Sequence, residues 1–257
     1  IKSIIDLYET KNKKVVLCAP TGRAAKRMTE ATNKEAKTLH RLLEIGKIQE
    51  EGSIESTDYE VAPIDADVII VDEMSMVDLF LMNYLLKAVY KGTKLVLVGD
   101  VDQLASVGPG SILQDLIESN VVKTVHLDKI FRQAAKSKII LNAHKVNNGE
   151  TFITPEEAKD NEAKADFFYI KEPSIDGMIY QVLSLCKERL SNFGDYNFFD
   201  NIQVLSPTKK GLLGTKELNK ALQKELNPES DFKQEKNSMG VTFREQDKIM
   251  QIRNNYD

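Results

Sequence analysis

Three short apolar runs, each closed by a polar signature, constrain this chain more than any other feature. Lys14–Ala19 (KVVLCA) stops at Pro20-Thr21-Gly22, Asp67–Val71 (DVIIV) at Asp72-Glu73, and Lys94–Val98 (KLVLV) at Gly99-Asp100. Runs of Val, Ile and Leu without polar alternation are strands buried on both faces, and such strands belong to parallel sheets covered by helices. Helical spacing fills the gaps at Arg23–Thr32, Thr38–Leu43, Val77–Tyr90 and Ser111–Ser119, and Val121–Leu127 reads as a fourth strand. The alternation predicts an α/β fold with a parallel sheet.

The rhythm returns in the second half. Phe167–Ile170, Asn201–Leu205 and Lys248–Arg253 are predicted strands, and Ser174–Leu190 and Gly214–Leu226 predicted helices. A long helical stretch, Ala134–Asn148, and a polar segment, Thr151–Ala165, separate the halves. Two domains are expected, at residues 1–129 and 130–257. Within the first, the acidic segment Ile45–Pro63 breaks the pattern and reads as an inserted β-hairpin, or as a solvated loop.

Charge is unevenly spread. Residues 1–43 hold ten Lys/Arg against four Asp/Glu, and residues 44–78 hold one against eleven, within a net charge of -4. A basic block beside an acidic one calls for a local explanation. No apolar run reaches the roughly 18 residues of a membrane span, so no membrane partner is expected. Cys18 and Cys186 sit far apart in apolar runs, which predicts buried reduced thiols and a reducing, cytoplasmic setting. Three histidines without cysteine partners argue against zinc. Ile1, Ile4, Ile5 and Tyr8 open the chain in helical register without an initiator methionine, so the natural start is expected upstream.

The strand ends carry the chemistry, because ligands of open α/β sheets bind beyond the carboxyl ends of the strands. Asp72 and Glu73 place two carboxylates there. One suits a Mg²⁺ ion that keeps most of its water, and the other can take a proton from an attacking water. An acidic first helical turn is the plainer explanation. In LVGDVDQLASVGPG, Gln103 can reach a phosphate without adding charge, although Gly-Asp is also an ordinary turn. Pro20-Thr21-Gly22-Arg23 offers backbone NH groups, a hydroxyl and positive charge at a helix start. Thr38 and His40 follow, and Ser206-Pro207-Thr208-Lys209 repeats the pattern in the second half. Arg132, taken alone, is an ordinary salt-bridge partner.

In this order, APTGRAAKR, TLHRLL, IIVDEMSM, LVGDVDQLASVGPG, IFRQ and SPTKKGLLGTKELNKALQ resemble the RecD-like superfamily 1B DNA helicases, the group of the exodeoxyribonuclease V alpha chain and its stand-alone relatives. The resemblance spans residues 1–257. It implies two RecA-like (P-loop NTPase) cores with ATP between them, single-stranded DNA across their tops, and 5′-to-3′ movement. By position, Asp72 matches the Mg²⁺-holding carboxylate, Glu73 the water-activating base, Gln103 the γ-phosphate sensor and Arg132 the arginine from the second core. Pro20, Thr21, Gly22, Arg23, Thr38 and His40 match strand-gripping motifs, as do Ser206, Pro207, Thr208 and Lys209. Ile45–Pro63 stands where these helicases carry a small pin that splits duplexes at junctions. Other exodeoxyribonuclease V subunits are implied partners of one branch.

The departures are informative. No GxxGxGK[ST] loop occurs, so the phosphate cradle is missing, and so are the motifs that would follow DKIMQIRNNYD. The expectation is a piece of a longer helicase with an incomplete second core, inactive by itself. A non-catalytic single-strand-binding module, a defective paralogue and an RNA helicase are the alternatives.

Overall fold

The computed structural model describes residues 1–45, 61–127, 137–152, 166–194 and 196–250. The chain divides into two compact units, Ile1–Lys136 with Ile140–Phe152, and Ser137–Ile139 with Ile153–Asp257.

The first unit is built on four parallel strands, β1 (Val15–Ala19), β2 (Ala36–Thr38), β3 (Val68–Val71) and β4 (Lys94–Leu97), in the order β2-β1-β3-β4. Val15 pairs with Val68 and Cys18 with Val71, and Val71 in turn pairs with Leu97. Alternate side chains of a strand point to opposite faces, so β3 feeds two cores. Val68 and Ile70 join Ile5, Leu17 and Met28 beneath α1 (Lys2–Glu9) and α2 (Gly22–Thr32). Ile69 and Val71 join Leu39, Leu43, Met74, Leu81 and Leu85 on the other face. That face is covered by α3 (Leu39–Leu42), α4 (Leu79–Ala88) and α5 (Ile112–Glu118). Every residue of β3 is buried, which is why its sequence is an unbroken apolar run.

The helices begin where a side chain satisfies their free amides. Thr21 Oγ1 accepts from the Ala24 amide (3.3 Å) to start α2, and Asp78 Oδ1 from the Leu81 amide (2.8 Å) to start α4. Asn33, at φ 56°, ends α2 in the left-handed region. At the amino ends of β1 and β3, Asp67 receives the Lys13 ammonium (2.9 Å) and the Lys14 amide (2.8 Å). The Lys13 hydrogen bond, then that of the Lys14 amide, hold the Asp67 carboxyl below the usual carboxylate range.

The ends of the expected insertion are anchored. Ile45, Val61 and Ile64 are buried in the second of these cores, and the Ile64 amide donates to the Ala88 carbonyl at 2.8 Å. The hairpin expectation itself falls on residues 46–60, outside the described residues.

Helix α6 spans Lys138–Asn147, and its residues from Ile140 onward belong to the first unit. In the second unit, α7 (Ile175–Ser184) continues through a π-helical stretch, Leu185–Arg189, into α8 (Leu190–Phe193). Helix α9 (Thr215–Leu226) follows. Cys186, Ile202 and Leu222 form its core. Strands β5 (Glu235–Ser238) and β6 (Val241–Arg244) make an antiparallel hairpin about Met239 and Gly240, both at positive φ. Buried Asn227 clamps it, donating to the Glu245 carbonyl (3.0 Å) and Asp247 Oδ1 (2.7 Å).

Several sequence expectations are corrected. Val121–Leu127, Phe167–Ile170 and Asn201–Leu205 form no strand, and neither do the described residues of Lys248–Arg253. Val121, Val125, Leu127 and Leu205 are exposed; strand-like patterning forms a strand only where a neighbouring ladder completes it. The helix expected from Thr38 begins at Leu39, because Ala36–Thr38 pairs with β1 as an edge strand. The α/β class and the parallel sheet stand, and among the described residues of the second unit the β5–β6 hairpin is the paired structure. Cys18 and Cys186 are buried free thiols, and no helix among the described residues is long and apolar enough to cross a membrane.

Candidate functional site

Four parallel strands deliver their carboxyl ends to one edge of the sheet. In sheet order these ends carry Thr38 with His40, then Pro20 to Arg23, then Asp72-Glu73, then Gly99 with the loop to Gln103. The ladder runs on into these turns: the Asp72 amide donates to the Cys18 carbonyl (3.0 Å), the Val98 amide to Val71 (2.8 Å) and the Met74 amide to Val98 (3.0 Å).

Asp72 and Glu73 are half-buried. Asp72 Oδ1 accepts from the Glu73 amide at 3.0 Å. That turn sets Glu73 at φ 55°, ψ 43°, a left-handed conformation that costs a side-chain-bearing residue about 1–2 kcal/mol and clusters at functional positions. A short 3-10 turn, Met74–Met76, follows. Gly99 is dictated by this turn, since a Cβ there would sit 3.0 Å from the Met74 nitrogen and 2.8 Å from Leu113 Cδ2. Ser75 Oγ is buried without a hydrogen-bond partner among the described residues; its neighbours in sequence are apolar, and nothing but the fold reveals it.

Beyond Gly99, Asp100 Oδ1 accepts from the Asp102 amide (3.0 Å) and the Gln103 amide reaches the Asp100 carbonyl (3.4 Å). The Gln103 side chain is exposed. The loop returns to the start of α4, where the Leu79 amide donates to the Pro109 carbonyl (2.9 Å).

The Thr21 and Thr38 hydroxyls both accept from helix-start amides, Ala24 and Arg41 (3.2 Å for the latter), and each keeps its own proton to donate. Gly22 and Arg23 are exposed, and a Cβ on Gly22 would meet nothing within 4 Å. Lys26 and Arg27 add exposed positive charge on α2. His40 is half-buried; burial lowers its pKa and the Asp78 carboxylate opposes that shift.

Ser206 to Lys209 lie in the second unit. Ser206 Oγ donates to the Leu213 carbonyl (2.7 Å), Thr208 Oγ1 to the Lys210 carbonyl (3.2 Å), and the Thr215 amide to the Thr208 carbonyl (3.0 Å). These bonds knot the turn onto the start of α9 and leave Pro207, Lys209 and Lys210 exposed. Arg132 lies outside the described residues.

For a cation the donor set is sparse. No group of three or more His, Cys, Asp or Glu side chains gathers among the described residues. One Asp72 oxygen is taken by the Glu73 amide, which leaves the other. That suits Mg²⁺, which keeps several waters and takes further oxygens from substrate phosphates, and does not suit an all-protein metal cage.

The chain is similar to several known proteins. The chain is 37% identical over 227 residues to the ATP-dependent RecD2 DNA helicase of Deinococcus radiodurans, covering 88% of this chain and 28% of that protein. It is 43% identical over 121 residues to the RecBCD enzyme subunit RecD of Mycolicibacterium smegmatis, covering 41% of this chain and 21% of that one. The chain thus spans less than a third of either relative. A solved structure of Bacteroides Pif1 bound to single-stranded DNA aligns at 21% identity with a TM-score of 0.38, over 70% of this chain and 48% of that one. Residues 1–166 match the family described as AAA domain, and the chain belongs to that family, with RecD-type helicases among its relatives.

Proposed function

We propose that the protein is an ATP-dependent DNA helicase that moves 5′ to 3′ on single-stranded DNA and unwinds duplex junctions during recombination or repair. The observation that carries this reading is the shared sheet edge. It puts the Asp72-Glu73 pair, the loop to Gln103 and the exposed cations of α2 on neighbouring strand ends. One end suits a nucleotide, the other a polyanion.

In this reading Asp72 holds Mg²⁺ through water and Glu73, in its fixed left-handed turn, takes the proton of the attacking water. Gln103 senses the γ-phosphate. Arg132, from the second of two cores divided near residue 129, neutralises charge that develops on it. Pro20 to Arg23, Thr38 and His40 grip the strand from one core, and Ser206 to Lys209 from the other. Residues 45–63 form the pin. The likeness to RecD subunits supports other exodeoxyribonuclease V subunits as partners, and two buried thiols support a cytoplasmic setting.

The test is directional. Protein made from the complete reading frame should unwind a duplex with a 5′ single-stranded tail, using ATP, and leave one with a 3′ tail intact. Unwinding from the 3′ tail overturns the proposed polarity, and strand binding without ATP turnover overturns the helicase reading. The latter outcome favours a non-catalytic single-strand-binding module. Because no GxxGxGK[ST] sequence occurs in them, these 257 residues alone should turn over ATP poorly. Robust turnover by them, abolished in Glu73→Gln, contradicts that.

A further inference from the structure

Asp78 has no part in the chemistry above, yet it lies where three site segments meet. Its Oδ1 caps α4 through the Leu81 amide. Its Oδ2 faces Gly108 so closely that a Cβ there would sit 2.0 Å from it. Carboxylate and loop backbone therefore occupy adjoining space with no room for a side chain. The loop is fastened on both sides of this contact: Ser106 Oγ donates to the Gly108 carbonyl (2.9 Å), and the Pro109 carbonyl accepts from the Leu79 amide (2.9 Å). The third segment is α3, whose Leu39 is buried in the same core as Leu81 and Leu85 of α4; burial lowers the pKa of its His40, and the Asp78 charge opposes that shift.

A plain helix cap needs one oxygen and tolerates any neighbour. This one has a loop seated on its second oxygen and starts a helix that packs with α3 in one core. The loop begins at Gly99, and Gln103 is part of it.

We propose that Asp78 is a positioning residue that couples the turn Thr38–Leu43 to the loop Gly99–Gly110, so that a strand seated on the first sets Gln103 in the second. The proposal rests on the helicase reading of both segments. Asp78→Asn separates coupling from capping, because the amide oxygen still accepts from Leu81 and the side chain keeps its size, while the charge on His40 disappears.

The experiment measures ATP turnover against single-strand concentration in protein made from the complete reading frame, with melting temperature and strand binding alongside. In Asp78→Asn, melting, nucleotide-free strand binding and turnover without DNA should match the parent. Stimulation of kcat by the strand should fall about tenfold, within the roughly 5–150-fold range of site-to-site coupling, with KM for ATP unchanged. Gly108→Ala, which forces carboxylate and loop apart, should lower both stimulation by the strand and melting temperature, since overpacking costs stability. A parent with no strand-stimulated turnover overturns the helicase reading and this inference with it. A parent that is stimulated, beside an Asp78→Asn protein stimulated equally, overturns the inference alone. In Asp78→Asn, a fall in stimulation matched by a fall in melting temperature shows a cap and overturns it too.

Discussion

The Met74 amide donates to the Val98 carbonyl at 3.0 Å, so the turn that carries Asp72 and Glu73 is bonded directly to the strand end that leads to Gln103. Gly99, the next residue, lies against the same Met74 nitrogen. The two signatures form one piece of backbone, and displacing either moves both.

Gly99→Ala tests that joint. The added methyl meets Met74 and Leu113 at 3.1 Å or less, and overpacking of this kind costs about 1–3 kcal/mol. The urea midpoint should drop accordingly. In the complete protein, ATP turnover should fall further than the lost folded fraction explains. Unchanged midpoint and turnover contradict the joint.

Leu85→Ala tests the core that seats α4. Leu85 is fully buried between helix and sheet, and truncating such a leucine costs about 2–5 kcal/mol. Equilibrium denaturation of the 257-residue chain should show that loss, while a change on the exposed face, such as Leu86→Ala, costs little. Equal losses at the two positions contradict the assigned faces.

Asp67 supplies a pH signature. Its carboxyl is held below the usual range in the folded state, first by the Lys13 hydrogen bond. A depressed folded pKa adds stability above the unfolded pKa and loses it as pH falls through the folded one. Asp67→Asn should thus be the less stable protein near neutrality. The gap should close below about pH 4, where carboxylates take up protons. A gap that is constant, or that widens in acid, reverses the sign and refutes the linkage.

Burial raises the Cys18 thiol to about 12, so at about pH 8 almost no thiolate is present to react. Burial also raises Cys186, against the opposing charge of Lys248. Mass spectrometry after brief iodoacetamide treatment should find Cys18 unmodified in the folded chain and alkylated in urea. Rapid alkylation of Cys18 under native conditions contradicts its burial.

How much of this was legible in the sequence depends on where each signal resides. β1, β3 and β4 were readable because a strand covered on both faces needs an unbroken apolar run, as Val68–Val71 has. β2 was not, because Ala36–Thr38 is three residues at a sheet edge with one apolar side chain. Val121–Leu127 has the composition of a strand, but no ladder among the described residues receives it. The β5–β6 hairpin has no apolar run to mark it, because all of β5 and half of β6 are exposed, and the bonds from Asn227 that hold it reach residues 18 and 20 positions on. The strand-end residues Thr21, Asp72 and Gln103 were nameable from motif order. Their arrangement along one edge follows from the strand order, which no local pattern encodes. The left-handed Glu73, the orphaned Ser75 hydroxyl and the seat of Gly108 on Asp78 arise only when distant segments meet.

The most direct test of the central claim is strand-stimulated ATP turnover by the complete protein with and without Glu73→Gln. Removing a positioned general base costs about 10²–10⁴ in rate. The predicted result is a turnover loss on that scale with single-strand binding intact, since Glu73 lies on a different strand end from Thr21 and Thr38. Turnover unchanged in Glu73→Gln would contradict the assignment of this sheet edge as the site of ATP hydrolysis.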